Sequence, residues 1–213
     1  MSIEQFIAQR GIESVVHFTT NKGSLGIFAS NALKSRHRLN ADDQLKHIFQ
    51  PNAISRDKDL AWLDYANLSI SRINTNFFNT CSGSWHRERN FFWCIFDFSP
   101  EIMLHEGVQF TTTNNIYSGN LRGPGLEGLE RAFQPRTHQY LGNYAVRTEG
   151  FPEDQPTCNQ AEILYPGEVS TRFLQRIYVR NEEDSDELAG QMGATAHPAV
   201  EVLVRPELFE KIR

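Results

Sequence analysis

The 213-residue chain is short of the features that would place it in several large classes of protein. Its three cysteines, Cys81, Cys94 and Cys158, are odd in number and lack C-x-x-C spacing, so neither a disulfide framework nor a cysteine zinc site is indicated. The first residues do not form a basic segment followed by an apolar core, and no apolar run is long enough to cross a bilayer. We therefore expect a soluble protein of the reducing cytoplasm, with no membrane partner.

The common catalytic templates are also missing. The sequence has no G-x-G-x-x-G after a strand, no Walker loop, no G-x-S-x-G and no H-E-x-x-H. Its seven histidines are scattered without ligand spacing, so no metal is expected. The glycine-rich run 119–125 lacks the lysine of a phosphate cradle and is interpreted as a flexible loop. If the chain binds a dinucleotide, it does so without a Rossmann fold.

Apolar residues are plentiful enough for a substantial core. Hydrophobic residues make up 39% of the chain, with 15 Phe, and no Gly/Ser-rich or Pro-rich linker divides it. We expect one domain over residues 1–213.

The negative net charge is concentrated near the end of the chain. The net charge is -5, but residues 1–150 carry 15 Lys and Arg against 14 Asp and Glu, whereas residues 151–213 carry 6 against 12. Basic clusters occur at 34–38 and 86–89. This distribution predicts a small basic groove and not a broad nucleic-acid-binding surface.

Hydrophobic periodicity predicts an α+β fold with a mostly antiparallel, split sheet. The N-terminal part reads as a helix over 2–9 capped by Ser2, a strand, a polar turn over 19–23, and a helix from Ser24 to near Asn31. Residues 34–59 read as a long functional loop. A short helix is predicted over Glu127–Phe133. Strands are predicted at Val15–Phe18, Leu68–Ser71, Phe91–Phe98, Gly107–Thr112, Ala161–Leu164, Arg176–Val179 and Ala199–Val204.

Glu162 is the first candidate for a catalytic group. It stands at the start of the apolar run Ala161–Leu164, where a carboxylate is costly to desolvate unless a cation or hydrogen-bond donor meets it. The alternative is an ordinary solvated glutamate at a strand edge. A hydrolase would need a second carboxylate nearby, for which Glu153 and Glu168 are the candidates.

His17 and two arginines are further candidates. His17 ends an apolar strand next to the hydroxyls of Thr19 and Thr20, where its ring can bond a ligand hydroxyl, although a satisfied core histidine fits equally well. Arg56 and Arg72 each offer paired donors that match phosphate oxygens, and the sequence pattern does not choose between them.

These residues together resemble the DarT family of nucleic-acid ADP-ribosyltransferase toxins. The resemblance rests on His17-Phe18-Thr19 followed by Leu25, an arginine about forty residues downstream, Tyr65, and the late Gln160-x-Glu162. It spans roughly residues 12–180, and the segment Phe110–Asn115 is similar to the middle region of the family. It implies an ADP-ribosyltransferase-like split sheet with peripheral helices, and NAD as the substrate. The resemblance places the NAD-binding residues at His17, Phe18, Thr19, Asn21, Leu25, Arg56 and Tyr65, with Arg56 also assisting catalysis and Glu162 as the catalytic glutamate.

The resemblance also implies an acceptor and a partner. Gln160 is placed to bind the edge of a base, and Asn159, Asn115 and Arg122 are further candidates for contacts with the acceptor. Asn114 and Asn115 stand where the thymine-modifying branch has a histidine, which favours another branch. Because the Q-x-E arrangement also occurs in guanine-modifying enzymes, the resemblance favours guanine in single-stranded DNA. The expected partner is a macrodomain antitoxin. The open alternatives are an RNA or protein acceptor and a non-catalytic RNA-binding module.

Overall fold

The computed structural model describes residues 1–45, 52, 57–86 and 91–210. The helices in this part of the chain are α1 Ile3–Arg10, α2 Asn21–Ser30, α3 Arg36–Ala41, α4 Thr75–Thr80, α5 Gly125–Ala132 and α6 Glu182–Ala194. The strands are β1 Val15–Thr20, β2 Ala32–Lys34, β3 Tyr65–Ile70, β4 Trp93–Phe98, β5 Gln109–Thr111, β6 Arg122–Pro124, β7 Arg136–His138, β8 Tyr144–Val146, β9 Ile163–Pro166, β10 Glu168–Ser170, β11 Leu174–Val179 and β12 Glu201–Val204. None of the described helices is both long and apolar enough to span a membrane.

Eight strands form one sheet in the order β12-β11-β4-β1-β3-β9-β5-β6. All neighbours in this sheet are antiparallel except β11 and β12. Two smaller antiparallel pairs, β2 with β10 and β7 with β8, lie outside it. The prediction of an α+β fold with a mostly antiparallel sheet is confirmed.

The sheet opens between β1 and β3. Strand β1 pairs with β4 along its whole length, from Val15 opposite Phe98 to Thr20 opposite Trp93. With β3 it pairs only at Val15 and Val16, and then the two strands diverge. Divergence leaves backbone groups without ladder partners, and these must be satisfied in another way. This opening is the predicted split, and His17 is the next residue along β1.

Side chains on the two faces of the sheet pack into two hydrophobic clusters. Along β4, Phe96 and Phe98 point into the larger cluster, while Trp93 and Ile95 point into the smaller one, as the alternation of a strand requires. The larger cluster includes residues of α1, α2, α5 and α6. Val16 and Phe18 of β1 belong to the smaller cluster, so β1 carries buried apolar side chains on either side of His17.

The N-terminal elements agree with the sequence except at the predicted turn. Helix α1 begins after Ser2, which forms a complete capping box with Gln5. The polar turn predicted over 19–23 is wrong: β1 continues through Thr20, whose side chain accepts a hydrogen bond from the Gly23 backbone at 3.3 Å and starts α2 at Asn21. Gly23 allows this close approach, since a Cβ there would lie 2.0 Å from Thr19 Oγ1.

Candidate active site

A cavity of about 450 Å³ lies at the opening of the sheet. This volume is in the range of small-molecule sites, which are mostly apolar with a few placed polar groups. The apolar part of the lining comes from β1, β2, β3, α2 and α4 and includes Val16, Phe18, Ile27, Leu33, Leu68 and Phe77. The polar part includes His17, Asn67, Asp59, Asn114 and Glu162.

His17 bridges the diverging strands. Its Nδ1 lies 2.8 Å from the carbonyl oxygen of Asn67 on β3. A carbonyl only accepts, so Nδ1 carries the proton in this contact and Nε2 of the neutral ring is an acceptor. Burial lowers the pKa of His17, and the bond to Asn67 opposes that shift only in part. The neutral imidazole can therefore accept from a ligand hydroxyl or amide.

Phe18 and Thr19 continue this wall of the cavity. The Phe18 ring packs against Phe77, Phe78 and Trp93, with centroids 5.3 to 5.7 Å apart. The Phe18 carbonyl accepts from Asn52 Nδ2 at 2.6 Å. Both residues are buried, and both line the cavity.

Glu162 approaches the same cavity from β9. Thr111 at the end of β5 holds its backbone on both sides: the Glu162 N–H donates to Thr111 Oγ1 at 2.8 Å, and the Glu162 carbonyl accepts from the Thr111 N–H at 2.9 Å. The carboxylate accepts from the backbone N–H of Asn115 at 2.8 Å. The position of this carboxylate is therefore fixed by Thr111, at the start of the loop that connects β5 to β6, and by Asn115 within that loop.

The side chain of Asn115 is buried and connects Asp59 to Arg122, and it is not exposed on the surface that an ADP-ribose acceptor would meet. Only 3% of its surface is exposed. Its amide Nδ2 donates to the carboxylate of Asp59, and its Oδ1 accepts from Arg122 Nε. Arg122 also donates to the Asn115 carbonyl at 2.9 Å and lies over the ring of Trp62, 5.0 Å from the centroid. These contacts fix the backbone N–H that holds Glu162.

Gln160 is tied to a pair of tyrosines. Tyr117 donates from its hydroxyl to Gln160 Oε1 at 2.9 Å, and its ring lies 5.1 Å from that of Tyr140. Burial, followed by the proximity of Cys158, Tyr140 and Glu162, raises the pKa of Tyr117. With Oε1 held by a donor, the Gln160 amide presents its NH₂ as a donor. Asn159 beside it is exposed.

The remaining candidates fall into three groups. Tyr65 lines the cavity and packs against Trp62, with centroids 4.9 Å apart. Asn21 and Leu25 lie on α2 outside the lining; Asn21 Nδ2 donates to Glu187 of α6 at 3.0 Å. Arg56 lies outside the described residues. Arg72 donates to the carbonyl of Glu210 at 2.8 Å, away from the cavity lining.

Sequence reasoning missed several polar residues of the site. Asp59, Thr111 and Tyr117 act through partners that are more than forty residues away in the chain. The only signal available was the lack of carboxylates around Thr111 and Tyr117, which is not specific. In the described part of the chain, no group of three or more His, Cys, Asp or Glu side chains is placed to hold a metal ion.

A cavity at the opening of a mostly antiparallel sheet, lined by a neutral histidine on one strand and by a glutamate held in place by backbone, is the arrangement expected of an ADP-ribosyltransferase. The model of one family, described as "ssDNA thymidine ADP-ribosyltransferase, DarT", matches residues 16–210. The chain belongs to the DarT family and is an NAD-dependent ADP-ribosyltransferase.

Solved structures show the same fold. DarT of Thermus sp. 2.9 in complex with carba-NAD⁺ is 13% identical, with a TM-score of 0.65 over 93% of this chain and 98% of that one. The same protein with ADP-ribosylated single-stranded DNA gives 12% identity and a TM-score of 0.65 over 94% and 97%. DarTG of Thermosipho africanus in complex with ADP-ribose gives 13% identity and a TM-score of 0.61 over 92% of this chain and 51% of that one. No curated protein sequence matches the chain.

Proposed function

We propose that this enzyme transfers ADP-ribose from NAD to a base in single-stranded DNA, with guanine as the favoured base and release of nicotinamide. The observation that carries this proposal is that His17 and Glu162, 145 positions apart in the sequence, line one cavity at the split of the sheet. The structures of Thermus sp. 2.9 DarT with carba-NAD⁺ and with ADP-ribosylated single-stranded DNA support the choice of both substrates.

NAD binds along the β1 side of the cavity. The neutral His17 ring accepts from a ribose hydroxyl, because its Nδ1 proton is committed to Asn67. Phe18, Thr19 and Tyr65 form the surface on which the nicotinamide and its ribose lie. We keep Arg56 as the residue that holds the NAD phosphates and assists catalysis, because guanidinium donors match phosphate oxygens.

Glu162 acts on the reacting carbon. When the bond between nicotinamide and ribose breaks, positive charge develops on the anomeric carbon, and an anionic carboxylate stabilises that charge. The Asn115 N–H holds this carboxylate in place before the reaction, so little reorganisation is needed. The acceptor nitrogen then attacks the anomeric carbon and loses its proton to Glu162.

Gln160 recognises the acceptor base. Tyr117 holds Oε1, which directs the NH₂ donors towards acceptor atoms. Guanine presents two such atoms, N7 and O6, along one edge. Thymidine is the second candidate, favoured by the description of the family. A base paired in a duplex would not reach this site, so a single strand or an extruded base is required.

The enzyme acts as a toxin held in check by a macrodomain antitoxin. The matching DarTG of Thermosipho africanus is about twice the length of the aligned part, which leaves room for a second activity in that protein. A toxin of this kind would work in the cytoplasm, where NAD and DNA meet. Residues 1–213 would serve as one catalytic domain.

Incubation with NAD and four sets of oligonucleotides tests the acceptor. The sets are single-stranded DNA whose only guanine or only thymine is central, the matching RNA, and the same DNA annealed to its complement. We expect one added ADP-ribose on the guanine strand, detected by mass, and free nicotinamide in equal amount. Modification of the thymine-containing strand alone would mean that the acceptor is thymidine and not guanine. Release of nicotinamide without modification of any strand would contradict the nucleic-acid acceptor.

A further inference from the structure

An exposed aromatic surface lies beside Gln160, and apart from Tyr117 it is not used by the chemistry described above. We call it the tyrosine platform and define it as Tyr117, Tyr140 and Tyr144, with His138 and Arg136. Tyr140 and Tyr144 are 55% and 45% exposed, which is high for large side chains. The rings form two groups on the same hairpin and its neighbouring loop: Tyr117 lies 5.1 Å from Tyr140, while His138 lies 4.7 Å from Tyr144 and Arg136 lies 3.5 Å from the Tyr144 centroid.

The platform is attached firmly to the active site. Tyr117 donates to Gln160, and Ile116 next to Tyr117 lines the cavity. The hairpin formed by β7 and β8 packs closely on the loop before β6, since a Cβ at Gly119 would lie 2.6 Å from the His138 ring. On its other side, Gln139 donates to Cys158 Sγ at 3.2 Å. Gln160 therefore has a fixed relation to the exposed rings.

The charge around the platform suits a polyanion. Residues 108–126, which contain Tyr117, include Arg122 and no Asp or Glu. Residues 131–148, which contain the hairpin, include Arg131, Arg136 and Arg147 and no Asp or Glu. Two segments free of carboxylates stand out in a chain whose net charge is -5. Arg131 and Arg147 pair with Glu127 and Glu153, so Arg136 over the Tyr144 ring is the cation of the platform that is best placed for a phosphate.

We infer that the tyrosine platform binds the nucleotides that flank the acceptor base, by stacking successive bases on Tyr140 and Tyr144 while Arg136 meets the backbone. Exposed aromatic rings next to a positive groove are the means by which proteins hold single strands without reading every base. This inference rests on the proposed function and extends it. The DNA strand crosses the β7–β8 hairpin, and its acceptor base reaches Gln160. The hairpin, rather than the basic cluster 34–38, then sets the affinity for DNA.

The test compares Tyr140→Leu with Tyr140→Phe in the full-length protein. The acceptor is a single-stranded DNA 12-mer with one modifiable base, supplied with normal flanks or with abasic flanks that keep the phosphates. Loss of one stacked base raises the KM for the normal strand at least fivefold in Tyr140→Leu, by the usual strength of base stacking. Tyr140→Phe keeps a ring and stays close to wild type. With abasic flanks, the KM of wild type for the strand rises by a similar factor, whereas the KM of Tyr140→Leu shows no further rise.

Two more readouts make the result specific. The KM for NAD stays unchanged in Tyr140→Leu, and its circular dichroism matches wild type because the side chain is exposed. Arg136→Gln lowers the slope of log affinity against log salt by about 0.7, the value for one phosphate contact to a single strand. Leu141→Ala, at the exposed hairpin tip, serves as the control and changes neither value.

The outcomes separate the two proposals. If wild type modifies DNA but Tyr140→Leu and abasic flanks leave the KM unchanged, the platform proposal is wrong and the proposed function stands. If wild type hydrolyses or binds NAD but modifies no single-stranded DNA, the proposed function itself fails.

Discussion

His17 and Glu162 line one cavity, but the segments that hold them differ in kind. His17 sits in a strand wall made of β1 and β3, where buried regular backbone and one carbonyl fix its ring. Glu162 is held by the opposite side of the cavity, which we call the loop wall and define as residues 111–122 and 157–162 with the β7–β8 hairpin. In the loop wall, side chains bond to other side chains and to loop backbone. The strand wall is rigid because it is part of the core. The loop wall is rigid only while its hydrogen bonds persist.

This difference has a chemical meaning. A substrate shared by a whole family of enzymes can be bound by core strands, which tolerate little change. An acceptor that varies between branches is better met by loops, which accept substitutions at low cost in stability. The comparison predicts that variants in the loop wall change turnover and acceptor choice, while variants in the strand wall change NAD binding and stability.

The largest effect is expected from Glu162→Gln, which removes the charge of the loop wall and keeps its shape. The amide oxygen still accepts from the Asn115 N–H, so the fold is retained. We expect kcat for transfer to fall by about 10²–10³-fold, the usual loss of an electrostatic group that acts in the transition state. Initial rates by mass spectrometry and NAD affinity by calorimetry check this. A variant that keeps more than a tenth of wild-type kcat would refute the role of Glu162.

The next test is Asn115→Ala, which removes the buried side chain that connects Asp59 to Arg122 in the loop wall. The variant removes one partner from the buried Asp59 carboxylate and one from Arg122. We expect a loss of about 1–3 kcal/mol in the free energy of unfolding, the cost of removing a hydrogen-bond partner from buried polar groups. We also expect a fall in kcat, since the backbone N–H that aims Glu162 loses its support.

Asn79→Ala is the matched control for Asn115→Ala. Asn79 is an exposed asparagine on α4, and its loss removes a side chain of the same size from the surface. Urea unfolding and initial rates of both variants separate the two cases. Equal stabilities would show that the Asp59–Asn115–Arg122 contacts contribute nothing.

The same contrast explains what the sequence could predict. The strand wall follows from alternation: Val15, Val16 and Phe18 predict a buried strand, and the resemblance then selects His17. The loop wall follows from pairings across long stretches of chain, such as Tyr117 with Gln160 and Asp59 with Asn115, which no periodicity encodes. The motif therefore identifies Gln160 and Glu162, but it does not identify the residues that hold their side chains in place.

Asn115 shows the limit most clearly. The sequence placed it among acceptor contacts because of its position in the middle region, and the structure buries its side chain between Asp59 and Arg122. The predicted turn over 19–23 failed for a related reason: Thr20 caps the helix in place of Ser24, so the helix begins four residues earlier than predicted. The roles of all the predicted site residues, including Glu162 and His17, and the single-domain reading stay predictions.

The strand wall is tested by pH in wild type and in His17→Gln. Burial holds the folded-state pKa of His17 below its ordinary value of 6.5, so the folded state favours the neutral ring. The stability from this group is therefore present above pH 6.5 and is lost as the pH falls through the lowered folded value. Glutamine can still donate to the Asn67 carbonyl but does not titrate in this range.

We therefore expect the urea midpoint of wild type to fall more steeply than that of His17→Gln between pH 7 and pH 5. The comparison of the two proteins cancels other groups, including Asp97 and Asp184, whose pKa values are raised by burial and which act in the opposite direction. Parallel curves would mean that His17 is not buried neutral, and the strand wall would lose its main polar feature.

The smallest effect concerns the tip of the hairpin in the loop wall. Leu141 and Gly142 are the central residues of a turn closed by the Asn143 N–H and the Tyr140 carbonyl at 3.2 Å, and both have positive φ, 55° and 78°. A type I′ turn prefers Asn-Gly at these positions, and a leucine there is strained. Leu141→Asn should therefore raise the free energy of unfolding by about 0.5–1 kcal/mol, because asparagine tolerates this conformation. Thermal unfolding measures the gain, and Val146→Asn, an equally apolar-to-polar change on the exposed part of β8, should show none. If both variants behave alike, the tip is not strained, and the hairpin owes its position to Gly119 and Cys158 rather than to its own turn.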